Sequence, residues 1–431
     1  MPKRRTKTNG GIGFAVMAGM ALPLAVGLVV TTRVLPLQDF NEWLYQGLLV
    51  KDALAGHPAA AMLKPWPVPN ALTQFLLGVM MFALPPLIAG KAFIVATILA
   101  FAAMAWRLCR REGLTDYAAL ALLVPVVILN SDFWSGYLNF QLGLLLLMLH
   151  LLVVRDGRVL PWWQEALFAV LMFFTHALTL AFLAIHLGWR AARQRGLVRG
   201  TLRVIGVLLP ALVLVAWYSR ADHSHGEYIP PPGQGVAGFL LFKAYTVATY
   251  GPYQNMVFGS QGDMQRRAWL YALGVGLNGL FALVTMPPLL VAALRGVRSR
   301  RSFAESMSAL TGLAAFLVLP STMFGAVNIG SRFLVPALMF VLVSTEDWRG
   351  LRRYGAILAC AAPLMVLYIG YLQSQPVIGR EVDHLAVTDP VQRKDWLFGH
   401  SAYQFRASAQ AAEAGNRARP IGFATSILEP R

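Results

Sequence analysis

Long apolar runs, separated by short arginine-rich stretches, constrain this chain more than any other feature of its sequence. Runs such as 12–31, 87–105, 204–218 and 269–294 approach or exceed the length a helix needs to cross a bilayer. That length is about 20 residues for a hydrocarbon core about 30 Å thick. Only 13% of the residues are charged and 57% are hydrophobic, with a mean hydropathy of +0.56. A soluble domain carries about 25% charge. Few of the runs alternate with period two, which favours helices over a barrel. The expected fold is an all-α polytopic membrane protein.

The formal net charge is +17. In a soluble chain that value points to nucleic acid. Here the arginines sit in short connections between apolar runs, where they act as topology signals and contacts to anionic headgroups. No nucleic-acid partner is expected; the bilayer is. Cys109 and Cys360 suggest neither a disulfide framework nor a metal site. No Walker, Rossmann, zinc or nucleophile-elbow motif is present, so soluble-nucleotide chemistry is not supported.

The positive-inside rule orients the runs. Lys3, Arg4, Arg5 and Lys7 place the N-terminus in the cytoplasm of a bacterial inner membrane. Run 12–31 reads as an uncleaved first span. Run 71–84 is short, is interrupted by polar residues and precedes Pro85-Pro86, so it is expected to lie on the periplasmic surface. Spans follow at 87–105, 117–129 and 137–154. Residues 161–189 lie between basic clusters and must leave and return, so two short helices turning near Thr175-His176 are expected, both too short to cross unaided. Further spans at 204–218, 269–294, 307–324, 333–344 and 356–372 bring the total to about eleven. Residues 1–372 thus form a transmembrane domain with periplasmic loops at 32–86 and 219–265, and 373–431 form a short periplasmic tail. More than half of the chain's 37 Lys and Arg fall in the short cytoplasmic segments.

Ionisable groups within or at the edge of a membrane are costly, which makes each a site candidate. On the periplasmic side fall Asp39, Glu42, His57, Lys64, Asp132, Asn139, His176 and Arg332. Asp39 and Glu42, at i and i+3, share one helix face, and a carboxylate there can act as a general base. The plainer reading is an amphipathic surface helix. His176 in an apolar run is either a packing residue or a group at a half-depth turn. Arg332 runs against the positive-inside trend and needs an anionic partner, a phosphate or a structural carboxylate. Trp134 and Tyr137 are interface-belt residues or substrate contacts. Tyr228 sits in a proline-rich stretch that cannot be a regular helix and could cover a site. His223, His225 and Glu227 are a weak metal pattern. His150 and His186 look incidental, near cytoplasmic helix ends.

The layout over residues 12–345 resembles the GT-C superfold of membrane glycosyltransferases, in a bacterial branch. Asp39 follows the first span in a long loop, as the family's catalytic base does. An interfacial helix follows a Pro-containing stretch at 67–84. A short helix pair breaks at Phe174-Thr-His-Ala, and a late span opens Ser331-Arg-Phe-Leu-Val-Pro336. The stretch Trp134-Ser-Gly-Tyr-Leu-Asn-Phe-Gln-Leu-Gly resembles one in bacterial membrane proteins of this layout. The resemblance implies transfer of a sugar from a polyprenyl-phosphate-linked donor, with Asp39 and Glu42 catalytic. It implies that His176, Arg332 and Lys64 bind the donor phosphate. His57, Asp132, Trp134, Tyr137, Asn139 and Tyr228 would contact substrate. No metal ligand is assigned, and a divalent metal ion, Mg or Mn, could serve as a cofactor. A lipid or polysaccharide flippase, or a non-catalytic subunit of an envelope-polymer assembly, are the alternatives.

Overall fold

The structure is a computed structural model and describes residues 10–31, 35, 37, 40–56, 61–111, 123–154, 160–221, 235–251, 268–299, 302–320, 329–344, 428–430 and five positions between 363 and 370. Apart from one pair of three-residue strands, its regular elements are helices. In chain order they are α1 (Gly10–Thr31), α2 (Phe40–Leu54), β1 (Ala61–Leu63), α3 (Leu72–Met80), α4 (Pro86–Arg111), a π-helical turn (Val124–Ile128), α5 (Ser131–Trp134), α6 (Leu138–Val154), α7 (Trp162–Thr175), α8 (Ala177–Arg195), α9 (Leu197–Ala221), α10 (Val236–Thr249), α11 (Ala268–Arg298), α12 (Phe303–Val318), α13 (Ile329–Ser344) and β2 (Leu428–Pro430).

Three stretches, Pro86–Leu108, Val198–Ala221 and Ala272–Arg298, are long and apolar enough to cross a membrane. Only 17% of the apolar window of α9 is buried. Leu202, Leu209, Val213 and Trp217 all project from it, exposed. A continuous apolar face of that kind would aggregate in water and is stable against lipid. Pro210 in α9 and Pro287-Pro288 in α11 interrupt backbone hydrogen bonding, which helices in a bilayer tolerate when neighbours cover the freed carbonyls.

The centre of the bundle is α13. Val335, Ala337, Met339, Phe340 and Leu342 are fully buried and leave no outward face. A helix that is apolar all round belongs inside. It packs most closely against α12 and also meets α6, α8, α10, α11 and the π-helical turn. Close to one end of the bundle, α2 and α3 lie against each other through glycines. A Cβ on Gly78 would come within 2.7 Å of a Val50 methyl, and one on Gly47 within 2.9 Å of Leu77 Cβ. α3 has 9 residues, about 14 Å of helix, and cannot cross a bilayer. β2 pairs antiparallel with β1, Met62 opposite Glu429, and so ties the C-terminal residues to the first loop.

Two expectations change. α7 is short, with 14 residues, about 21 Å. α8 is not: it runs 19 residues to Arg195, about 28 Å, where the sequence suggests a helix ending before Arg190. The reason is ionic. Glu165 of α7 accepts from Arg190 at 3.5 Å and from Arg203 of α9 at 2.9 Å, with only 3% of its side chain exposed. The basic residues are therefore carried inside the helix bundle. The second change is in region 219–265, expected as a loop, which contains α10. Lys243 breaks the hydropathy of that stretch, yet its ammonium donates to the Leu319 carbonyl at 2.6 Å, at the C-terminal end of α12. A cation there also complements the helix dipole. Expected span 356–372 falls largely outside the described residues, as does most of 117–129 before the π-helical turn.

Candidate functional site

The site is built on the break between α7 and α8. His176 is extended, at φ −162° and ψ 126°, between two helices. Neither glycine nor proline causes the break. Instead the local groups satisfy one another. His176 Nδ1 accepts from the Leu178 N–H at 3.2 Å, and Thr179 Oγ1 donates to the His176 carbonyl at 2.7 Å. The His176 side chain thus caps the α8 N-terminus, the role a Ser or Asp usually plays.

A second chain segment clamps the break. The Asn70 N–H donates to the Phe173 carbonyl at 3.2 Å, and Asn70 Oδ1 accepts from the Ala177 N–H at 3.1 Å. Asn70 has φ 64°, the only positive φ at a non-glycine among the described residues. Left-handed backbone is tolerated best by asparagine after glycine. From α6, Gly143 approaches so closely that a Cβ would lie 2.6 Å from Thr179 Oγ1 and 3.3 Å from His176 Cβ. The Phe140 ring meets the imidazole edge-on, with centroids 5.1 Å apart.

The turn before α6 supplies the rest. Asn130 donates to the Val126 and Val127 carbonyls, at 3.2 and 2.9 Å, and accepts from the Phe133 N–H at 2.9 Å and Gln141 Nε2 at 3.3 Å. This knot ends the π-helical turn, starts α5 and positions Tyr137 after Gly136, whose φ of 80° turns the chain. Over the Tyr137 ring lies the Arg332 guanidinium, 3.9 Å from the centroid. Arg332 Nε is buried and has no hydrogen-bond partner among the described residues. The same guanidinium lies within electrostatic reach of the His176 ring. From α2, Trp43 Nε1 donates to the Gly136 carbonyl at 2.8 Å, so the helix that follows Asp39 in the chain is moored to this turn.

Of the residues singled out from sequence, His176, Tyr137 and Arg332 come together, with Asp132 buried in the adjoining α5. Trp134 is fully buried, its N–H given to the Leu129 carbonyl at 3.1 Å and its ring packed on Phe133, so it acts in packing. Asn139 turns to its own backbone, accepting from the Phe140 N–H at 2.9 Å. Lys64 lies 5.9 Å from the centroid of the Trp66 ring. Asp39, His57 and Tyr228 lie outside the described residues, as do His223, His225 and Glu227; Glu42 belongs to α2, its side chain outside those described. Among the described residues no group of three or more His, Cys, Asp or Glu could hold a metal ion. Sequence reasoning missed Asn70, Asn130, Gly143 and Trp43. The only signal for Asn70 is that asparagine suits left-handed backbone, and for Gly143 that a glycine inside an apolar run marks close approach.

A guanidinium with one face on an aromatic ring keeps its edge N–H groups for an oxyanion. Within its electrostatic reach is an imidazole held at a helix break. The arrangement suits a phosphate or carboxylate brought to the end of the bundle. No protein-family model, curated protein or solved structure matches the chain.

Proposed function

We propose that the chain is a membrane glycosyltransferase of GT-C type, transferring a sugar from a polyprenyl-phosphate-linked donor. The observation that carries this reading is Arg332, stacked on Tyr137 with a buried Nε lacking a partner among the described residues, next to His176 at a helix break. In this reading about eleven spans cross a bacterial inner membrane, with the N-terminus cytoplasmic and the C-terminus and the site periplasmic. Asp39, near Glu42, takes the proton of the acceptor hydroxyl. The hydroxyl oxygen forms a bond to the anomeric carbon as the bond from that carbon to the phosphate oxygen breaks, with inversion. Polyprenyl phosphate leaves with the bonding electron pair. Arg332, His176 and Lys64 stabilise the charge that develops on it. His57, Asp132, Tyr137, Asn139 and Tyr228 line the sugar path.

The test is transfer of labelled sugar from polyprenyl-phosphate donors in vesicles containing the full chain. Activity is expected to fall by at least about a hundredfold in both Asp39→Asn and Arg332→Gln. Full activity in either variant, or donor crossing the vesicle membrane with no transfer, overturns the reading; the second result assigns a flippase.

A further inference from the structure

Glu165 precedes the His176 break by about three turns of α7, a rise of about 16 Å, so the ion cluster around it is a separate place in the fold. Gly196, at φ 74°, turns the chain from α8 into α9. Gly200 then brings the two helices together, since a Cβ there would lie 2.9 Å from the Ala191 carbonyl. Between α7, α8 and α9 this leaves a cleft of about 330 Å³, partly open to the outside. Glu165, Arg190, Gln194 and Arg203 line it, together with Leu187 and Val207. Ligand clefts begin at about 300 Å³.

Two guanidiniums face one carboxylate, which leaves the cleft one positive charge in excess. An ion pair built for stability alone needs a single arginine. Excess charge on arginine side chains only 10% and 23% exposed is costly without an anion. Arg203 donates both of its hydrogen bonds among the described residues, to the Leu160 carbonyl and to Glu165, from Nη2. Its other N–H groups stay available to an oxyanion.

The surroundings identify whose oxyanion. Trp162 and Trp163 open α7 at 61% and 54% exposure, just after Leu160. Tryptophans exposed at a helix end mark the headgroup layer of a membrane. From α9, Leu202, Ile205 and Leu209 project exposed, a track for hydrocarbon. Arg193 and Arg199, on the facing ends of α8 and α9, are exposed as well. We infer that the cleft binds the phosphodiester of an anionic phospholipid, with the acyl chains lying against α9. A monoanionic phosphodiester cancels the one excess charge. A zwitterionic lipid brings its own ammonium to helix ends that already carry arginines. Basic pockets between helices at a membrane face hold headgroups in this way.

The experiment uses the full chain, delipidated in a neutral detergent and offered phosphatidylglycerol, phosphatidylcholine or inorganic phosphate, alone and in competition. Native mass spectrometry counts what stays bound. One phosphatidylglycerol per chain is expected, retained about fivefold better than phosphatidylcholine, the weight of one charge near a membrane surface. Gln194→Glu, at an exposed position on the cleft, should remove that preference. Arg295→Gln, at an exposed position on α11 outside the cleft, should leave it intact. Equal retention of the two lipids, an unchanged preference in Gln194→Glu, or the same loss in Arg295→Gln overturns the site. Displacement of phosphatidylglycerol by inorganic phosphate assigns a free-anion site and overturns the lipid. Should Gln194→Glu not fold, the parent chain's choice between the two lipids decides alone.

Discussion

At φ 64°, Asn70 occupies backbone space that most side chains avoid while its amide oxygen caps the first turn of α8. The two roles respond differently to substitution. Asn70→Asp keeps an acceptor and tolerates the same backbone. Asn70→Gly keeps the backbone but loses the cap, about 1 kcal/mol. Asn70→Ala loses the cap and adds left-handed strain of about 1 kcal/mol more. Denaturant unfolding in detergent should rank stability Asp above Gly above Ala. Equal stability of Gly and Ala would mean that the strained backbone is relieved elsewhere. His176 itself was legible in the sequence, because the length between two arginine clusters demanded a turn there. Asn70 was not, because its partners lie 103 and 107 positions away, and the chain offers no local sign of them.

Among elements, the α7–α8–α9 group shows how a charged cluster can extend a helix into the bundle. Glu165 holds Arg190 and Arg203 from two other helices. Breaking a buried pair leaves charge uncompensated, so Glu165→Gln is expected to destabilise on the order of 3 kcal/mol. Combined with Arg203→Gln the loss should be smaller than the sum of the two single losses, because the guanidinium that lacked a partner is gone. Additive losses, read by unfolding in detergent, would show that the three groups do not act together. The shortness of helix α3 was readable from run length and from Pro85-Pro86. The length of α8 and the existence of α10 were not. In both, a basic residue interrupts the hydropathy, and only a partner supplied by another element, Glu165 or the Leu319 carbonyl, makes helix the better state for it.

For the whole molecule, the outward face of α9 carries the clearest consequence. Leu209 lies near the middle of that helix and is 53% exposed. In a bilayer, Leu209→Arg adds about 2.5–3.5 kcal/mol to insertion. The carbonate-resistant membrane fraction of the variant should fall sharply against the parent chain. An unchanged fraction would mean that α9 does not face lipid. That the chain is helical and membrane-associated follows from composition and run length alone, since no water-exposed fold can cover so much apolar surface with so few charges. Which polar residues meet was decided only in three dimensions. Arg332 reaches Tyr137 across 195 positions, and His150 meets His186 from an adjacent helix. The run-length signal reports how each segment partitions between water and lipid. It carries no information on helix rotation, and rotation about the axis determines which side chains converge.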